Sequence, residues 1–374
     1  MKIALVHYWL VRERGGEKVL KAFHDLYPDA TIFTNVYDPA RTPAFAGADV
    51  RTTFVQNLPF AKSLYQNYLP FMPSALEALD LHEFDLVISS ESGPAKGVLA
   101  RPGATHICYV HSPMRYVWNM YADYMKRSNP AVRAVFPFVA NYMRMWDVTS
   151  SARVDHFVAN SHNVAGRVRR YWGRASDVIH PPVDIDLFNA SAAHDGFYLY
   201  VGELVDYKRA DILIDAFAKM KRRLVVIGGG GKDTEELEKR GGGAVTFLGR
   251  VDHATLADHY ARCRAVMFAA EEDFGIVPLE AMASGKPVLA YDAGGARESV
   301  IAGKTGLFFP EQTPEAVIQV VEAFEANEGR FDYAAIRAHA ETFATPVFKA
   351  KFKAYVERAL NPGGARVQPV ASAR

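Results

Sequence analysis

Short apolar runs rich in β-branched residues recur along the chain, separated by stretches of helical periodicity, which is the pattern of buried parallel strands joined by crossover helices. In the first half the runs are Ile3 to Val6, Asp85 to Ser89, His106 to Val110 and His156 to Ala159. A second series follows at Tyr198 to Val201, Leu224 to Ile227, Val245 to Leu248, Ala265 to Phe268 and Pro287 to Tyr291, with helical patterns such as Asp211 to Lys219 and Thr255 to Arg262 between them. Two doubly wound α/β sheets are expected. Between them Pro181-Pro182 and the small polar stretch Asn189 to Gly196 predict a linker, because consecutive prolines forbid regular structure. The pattern divides the chain into Rossmann-like domains at 1–182 and 183–345, a last amphipathic helix over 346–360 and a disordered Pro/Gly/Ala tail over 361–374; the last helix is expected to pack back on the first domain.

Length supports this division, since 374 residues exceed what one hydrophobic core sustains. The two cysteines, Cys108 and Cys263, lie outside any CxxC or Cys/His cluster, which argues against a disulfide framework or structural zinc and for a reducing cytoplasm. His7 and Arg12-Glu13-Arg14 break the N-terminal apolar run too early for a signal peptide. No window approaches the ~20 apolar residues of a membrane-spanning helix, so any membrane association is expected to be peripheral. Net charge is +1, yet residues 1–180 hold 20 Lys+Arg against 15 Asp+Glu, leaving 23 against 27 for the rest. That mild basic excess suits an anionic membrane surface and is equally what chance composition gives. Nucleic-acid binding has no motif behind it.

Ligands of open α/β sheets collect at the carboxyl ends of the strands, which directs attention to three loops. Gly15-Gly16-Glu17 leads into a helix over Lys18 to His24, where glycines let backbone amides approach an anion; a simple tight turn is the alternative. Gly228 to Gly231 with Lys232 is not a Walker A loop, because Val226 and Asp233 stand where a glycine and a Ser or Thr are required. In Ala270 to Met282, Glu272 is expected to end a strand and Glu280 to lie near the start of a helix over Leu279 to Ser284, with Gly275 between them. Two such carboxylates can accept hydrogen bonds from vicinal hydroxyls of a ribose and a hexose; solvated charges at a helix start are the alternative. Asp184-Ile185-Asp186 matches an Asp-x-Asp manganese pattern but falls in the predicted linker, so no metal is expected. Residues 59–76 and 114–146 are rich in Tyr, Phe, Met and Trp with scattered Lys and Arg, which fits either an interfacial face for a lipid-linked acceptor or an ordinary core.

The segment Glu272 to Glu280 resembles the Glu-x7-Glu motif of the retaining GT-B glycosyltransferases of family four, also called glycosyl transferases group 1. Tyr200-Val201-Gly202, Tyr207-Lys208-Arg209-Ala210-Asp211, Phe247 to Val251, Ala283 to Val288 and Gly294-Gly295 with Glu298 are similar to that family in order and spacing. His7 to Leu10 with Gly15 to Glu17, His111-Ser112-Pro113, Ala159 to Ser161 and Pro181 to Asp184 resemble its O-antigen mannosyltransferase-like subgroup. The resemblance implies a GT-B fold of two Rossmann-like domains facing each other across a donor and acceptor cleft. By the same resemblance Glu280 binds the ribose, Glu272 a hydroxyl of the transferred sugar, and Phe274, Gly275, Ile276 and Val277 the sugar and diphosphate. Lys208 faces the phosphates, Gly15 and Gly16 lie near the diphosphate, His111 touches the donor sugar, and Gly249, Arg250 and Val251 lie by the base. Where most members have an arginine this chain has Glu203, so either that carboxylate points away or Arg209 or Arg250 supplies the second cation. The implied activity is metal-independent, retaining transfer of a hexose, mannose from GDP-mannose being the first choice, to a polyprenyl-diphosphate-linked saccharide in surface polysaccharide synthesis at the cytoplasmic face of the inner membrane. No cofactor beyond the nucleotide-sugar is implied. A nucleotide-sugar 2-epimerase and a non-catalytic sugar-nucleotide scaffold are the alternatives.

Overall fold

Seven parallel strands form one sheet and six form another. In this computed structural model, which describes residues 1–231 and 234–361, the first sheet contains β1 (Ile3–His7), β2 (Thr31–Thr34), β3 (Val50–Thr52), β4 (Leu86–Glu91), β5 (Thr105–Val110), β6 (His156–Ala159) and β7 (Asp177–Val178), ordered β3-β2-β1-β4-β5-β6-β7. The second contains β8 (Tyr198–Val201), β9 (Leu224–Ile227), β10 (Val245–Gly249), β11 (Ala265–Phe268), β12 (Val288–Tyr291) and β13 (Gly306–Phe309), ordered β10-β9-β8-β11-β12-β13. The central strands read as unbroken apolar runs because helices cover both faces of a parallel sheet. Leu5 on β1 stands opposite Ile32 on β2 and Ile88 on β4, and all three are fully buried.

Two compact units result, Met1–His180 together with the segment from Phe348 on, and Pro181–Val347. The stretch Asn189 to Gly196, expected as a linker, is strapped to the second unit. Ser191 N donates to Ser284 O at 3.1 Å, Lys286 Nζ to Ala193 O at 2.8 Å and Arg262 Nε to Asp195 at 2.8 Å. Its polar residues are therefore ligands of the second unit's own surface, and the seam falls at His180/Pro181. The last helix, Thr345–Leu360, buries Phe348, Phe352, Tyr355 and Val356 among Leu5, Phe23 and Tyr109 of the first unit. The expected tail beyond Asn361, and Lys232 and Asp233, lie outside the described residues.

Four strands went unexpected for physical reasons. Thr31–Thr34 is half threonine, Val50–Thr52 is an edge strand with a charged residue at its middle, and Asp177–Val178 is two residues long. Gly306–Phe309 opens on a glycine, required there because a Cβ would lie 1.9 Å from Val288 O. Strand order reverses beside β1 and β4 in the first sheet and beside β8 and β11 in the second. Crossover helices diverge to opposite sides at such a point and leave a crevice at the strand ends, where ligands of this architecture settle.

Candidate functional site

At the reversal in the second unit, the loop after β8 carries Lys208 and the loop after β11 carries Glu272. Lys208 closes a single turn, Asp206–Lys208, and Arg209 at φ +51° starts the helix Ala210–Met220. Lys208 Nζ lies 3.0 Å from Glu272 Oε1, with both side chains mostly buried. Burial, the largest single influence, would lower the Lys208 pKa, but the adjacent Glu272 carboxylate together with Tyr207 and Glu203 outweighs it and holds the ammonium above the usual lysine value. Glu272 does not end a strand. β11 stops at Phe268, and Glu272 stands four residues further along, in the loop.

That loop is fixed by backbone packing. Gly295 N donates to Glu272 O at 2.9 Å. A Cβ on Gly294, whose φ is +61°, would meet Glu272 O at 2.4 Å, and one on Gly295 would meet Phe274 Cα at 2.2 Å. The Gly-Gly pair is thus needed for close approach. Phe274 is buried, Gly275 turns at φ +84°, and Ile276 precedes the helix Val277–Ala283, one turn into which Glu280 accepts a hydrogen bond from Tyr260 Oη at 3.0 Å. The helix begins two residues earlier than expected because Pro278 is suited to its first turn.

The glycine-rich run after β9 serves packing as well. A Cβ on Gly228 would lie 1.9 Å from Gly202 O, and one on Gly231 would lie 1.6 Å from Leu204 O. Gly228 N donates to Gly249 O at 2.7 Å, drawing the end of β10 with Arg250 and the half-buried Val251 alongside. Arg250 Nη2 lies 3.8 Å from Glu203 Oε1, a loose pair in which the arginine side chain is 70% exposed. Arg209 is engaged elsewhere. Its guanidinium grips Asp211 through two bonds at 3.0 and 3.1 Å and reaches Gln312 Oε1 at 3.3 Å.

In the first unit, the structure brings Gly16 and His111 together. Gly15 and Gly16 begin the helix Gly15–Leu26 after β1, and a Cβ on Gly16 would lie 2.8 Å from Tyr8 Oη, 3.5 Å from His7 Cε1 and 3.6 Å from His111 Nε2. His111 follows β5; its Nε2 pairs with Ser90 Oγ at 2.8 Å and its carbonyl accepts from Asn160 Nδ2 at 3.0 Å. Burial, reinforced by His7, pulls the His111 pKa down to about 3, so the ring is neutral at pH 7. His7 Nε2 lies 3.5 Å from Glu17 Oε1, and Glu17 accepts from Arg14 N at 2.9 Å across the helix start. Asp184, in the Asp-x-Asp pattern, accepts from Thr345 Oγ1 at 2.9 Å. Among the described residues no cluster of three or more His, Cys, Asp or Glu is arranged around a metal-sized position.

Sequence reasoning gave no role to Tyr260, Gln312, Ser90 or Glu17. Tyr260 fits the apolar period of the helix His253–Arg262 and reads as core, and nothing local ties it to a carboxylate 20 residues later.

Known proteins share this framework. The family model for glycosyl transferases group 1 matches residues 187–341, and that for Glycosyltransferase Family 4 matches residues 15–187. A D-inositol 3-phosphate glycosyltransferase from Streptomyces scabiei is 31% identical over 229 residues, covering half of this chain and half of that protein. The match thus spans about half the length of such curated relatives. Among solved structures, Anabaena HepE in complex with UDP superposes with a TM-score of 0.72 at 19% identity, covering 96% of this chain and all of that one. Sucrose-phosphate synthase from Thermosynechococcus elongatus gives 0.73 at 18% identity, covering 97% and 100%. At those identities the likeness establishes fold, which is of GT-B type.

Proposed function

We propose, from the premise that this chain belongs to the GT-B glycosyltransferases that couple a family-4 domain to a group 1 domain, that it moves a hexose from a nucleoside diphosphate sugar to a saccharide acceptor. The observation that carries this reading is the loop pinned by Gly294-Gly295, which presents Glu272 against Lys208 and leads to Glu280 held by Tyr260. A carboxylate with one oxygen already hydrogen-bonded has a fixed orientation from which to receive the two ribose hydroxyls. Glu272 takes a hydroxyl of the hexose and Lys208 the diphosphate. Arg250, exposed and only loosely paired, is the second cation in place of an arginine at position 203, since Arg209 is occupied by Asp211 and Gln312.

Cleavage of the anomeric C–O bond leaves negative charge on the diphosphate and positive character on the sugar. Lys208 and Arg250 stabilise the first, which removes the need for a metal. Glu272 positions the sugar and is not a nucleophile of the retaining-glycosidase kind. The leaving phosphate takes the proton of the acceptor hydroxyl as that oxygen attacks from the same face, so configuration is retained. The neutral His111 and the Gly15-Gly16 turn serve the reacting end of the donor. The specific reading is mannose from GDP-mannose, delivered to a polyprenyl-diphosphate-linked saccharide at the cytoplasmic face of a membrane. Because solved structures of similar fold were obtained with UDP and UDP-glucose, a uracil nucleotide is the donor to test beside it.

The test is a transfer assay in excess EDTA with each donor and a lipid-linked saccharide, the new linkage being read by NMR. Retention of anomeric configuration in the product is expected. Inversion, dependence on added metal, or donor turnover indifferent to the acceptor would contradict the reading.

A further inference from the structure

The helix Pro130–Ser151 is apolar on two faces. Ala140 and Met143 are buried against Met114 and Val117. Val135, Phe138, Tyr142, Met145 and Val148, spaced three or four residues apart, stand exposed along one outward stripe. Phe138 is 77% exposed and Met145 57%. A helix that faces only water carries polar residues there, and a contiguous exposed apolar stripe marks a surface that something covers. Val135 also borders a groove of about 530 Å³ walled by Trp9, Leu69, Pro70, Tyr116, Val132 and Phe136, so the stripe and the groove are continuous.

A second observation comes from the segment that supplies Leu69 and Pro70. Phe60 occupies the left-handed region at φ +54° and is 77% exposed. Bulky L-residues avoid that conformation, and such strain persists at positions with a task. Here the backbone holds an aromatic ring outward with no burial to offset it, and Leu64 and Phe71 are exposed in the same segment.

Charge identifies the occupant. In this region Lys126, Arg127 and Arg133 are exposed, with Asp123 the nearby acid at 4.0 Å from Lys126, whereas Lys62 pairs with Asp38 at 3.4 Å and the part-buried Arg144 donates to Val117 O. Arg133 Nε donates to Met125 O at 2.9 Å, which places it beside Lys126 and Arg127 at the start of the long helix. We propose that the stripe of Pro130–Ser151, the adjoining groove and Phe60 form a docking surface for an anionic lipid bilayer. The aromatic and aliphatic side chains enter the boundary between headgroups and acyl chains, and the cations lie among the phosphates. A second copy is a poorer occupant, because a two-fold interface pairs this face with itself and the face, among the described residues, offers its own exposed cations no acid beyond Asp123. The surface belongs to the first unit, whereas Lys208, Glu272 and Glu280 belong to the second, and it does not depend on the sugar chemistry.

The test is co-sedimentation of the full chain with phosphatidylcholine vesicles, with and without phosphatidylglycerol, at low and high salt. Binding only to the phosphatidylglycerol vesicles, lost at high salt, is expected. Phe138→Asp with Met145→Asp weakens it on the order of tenfold, and Lys126→Glu with Arg127→Glu by roughly fivefold for each residue changed. Phe60→Gly weakens vesicle binding while raising the thermal midpoint, since it removes the ring and the strain together; this variant decides the matter if the double aspartate variant misfolds by circular dichroism. The proposal is overturned if wild type ignores anionic vesicles, if Phe60→Gly or the folded double variant binds them as wild type does, or if sedimentation velocity without lipid shows a dimer that the double variant dissolves. Nucleotide titration of the same variants, expected to match wild type, keeps this outcome separate from the fate of the transferase reading.

Discussion

Glu203 brings a carboxylate to the loop that also carries Lys208, and its partner is the exposed Arg250 at 3.8 Å. An ion pair this open is worth well under 1 kcal/mol, so a diphosphate can take Arg250 from it. Glu203→Gln removes a like charge from the phosphate position and releases that arginine. Binding of a nucleoside diphosphate is expected to tighten by about two- to fivefold in calorimetry, and unchanged or weaker binding would count against Arg250 as the second cation. At this scale the sequence singled out the charged residues Lys208, Glu272 and Glu280, and the fold brings Lys208 against Glu272. The sequence was silent about those that hold them, because Tyr260 hides in an apolar helical period and Gln312 reaches Arg209 from 103 residues away.

Elements show a similar division between local pattern and distant pairing. The aromatic segments 59–76 and 114–146 read equally as core or interface, and the fold assigns them residue by residue. Tyr65, Tyr68, Tyr116, Trp118, Phe136 and Trp146 pack inward, while Phe71, Tyr124, Phe138 and Tyr142 are exposed. The long helix is anchored by a wholly buried ionic group that no local pattern announces. Lys96 pairs with Asp147, lies 3.9 Å from Glu91 Oε1 and sits 4.3 Å from the Trp172 ring centroid, while Asp147 accepts from Trp118 and Trp172 at 2.7 Å each. Burial pushes the Glu91 carboxyl up to about 8 against the pull of Lys96. Burial pulls His106 down to about 4, despite Asp155, and His111 to about 3.

These shifts have opposite consequences for stability. Between about pH 4.5 and 6.5 the unfolded chain holds the His106 and His111 imidazolium protons that the folded unit lacks, with His24, also lowered by burial, adding in the same direction, and the folded unit holds one Glu91 proton that the unfolded chain lacks, so stability rises with pH. Above about 6.5 only the Glu91 difference remains, and stability falls until about pH 8. All four tryptophans, Trp9, Trp118, Trp146 and Trp172, lie in the first unit, so their fluorescence during denaturation reports it alone. Glu91→Gln is expected to abolish the decline above pH 6.5, and an undiminished decline would contradict the buried neutral carboxyl.

For the whole molecule, two parallel sheets were legible from periodicity and the boundary expected at 182/183 lies close to the seam at 180/181, whereas the role of Asn189 to Gly196 was not. The polar composition of Asn189 to Gly196 looks like a linker, yet its backbone and Asp195 are bonded to Ser284, Lys286 and Arg262. The final helix ties the chain's end to its beginning. Phe352 is fully buried against Phe23, with ring centroids 4.3 Å apart. Phe352→Ala is expected to destabilise the first unit by roughly 3 to 5 kcal/mol in tryptophan-monitored denaturation and to leave nucleotide binding by the second unit intact. Loss of both together would contradict the assignment of nucleotide recognition to the second unit.

The central claim is that the second unit grips a sugar nucleotide through Lys208, Glu272 and Glu280. Its most direct test is calorimetric titration with GDP, GDP-mannose, UDP and UDP-glucose, without added metal, on wild type and Glu280→Ala. The account predicts saturable binding of one nucleotide class, guanine by the specific reading, weakened by about 1 to 3 kcal/mol in the variant as a buried hydrogen-bond partner is lost. Uracil preference would change the donor and keep the site, whereas no binding of any nucleotide by folded wild type would contradict the claim itself.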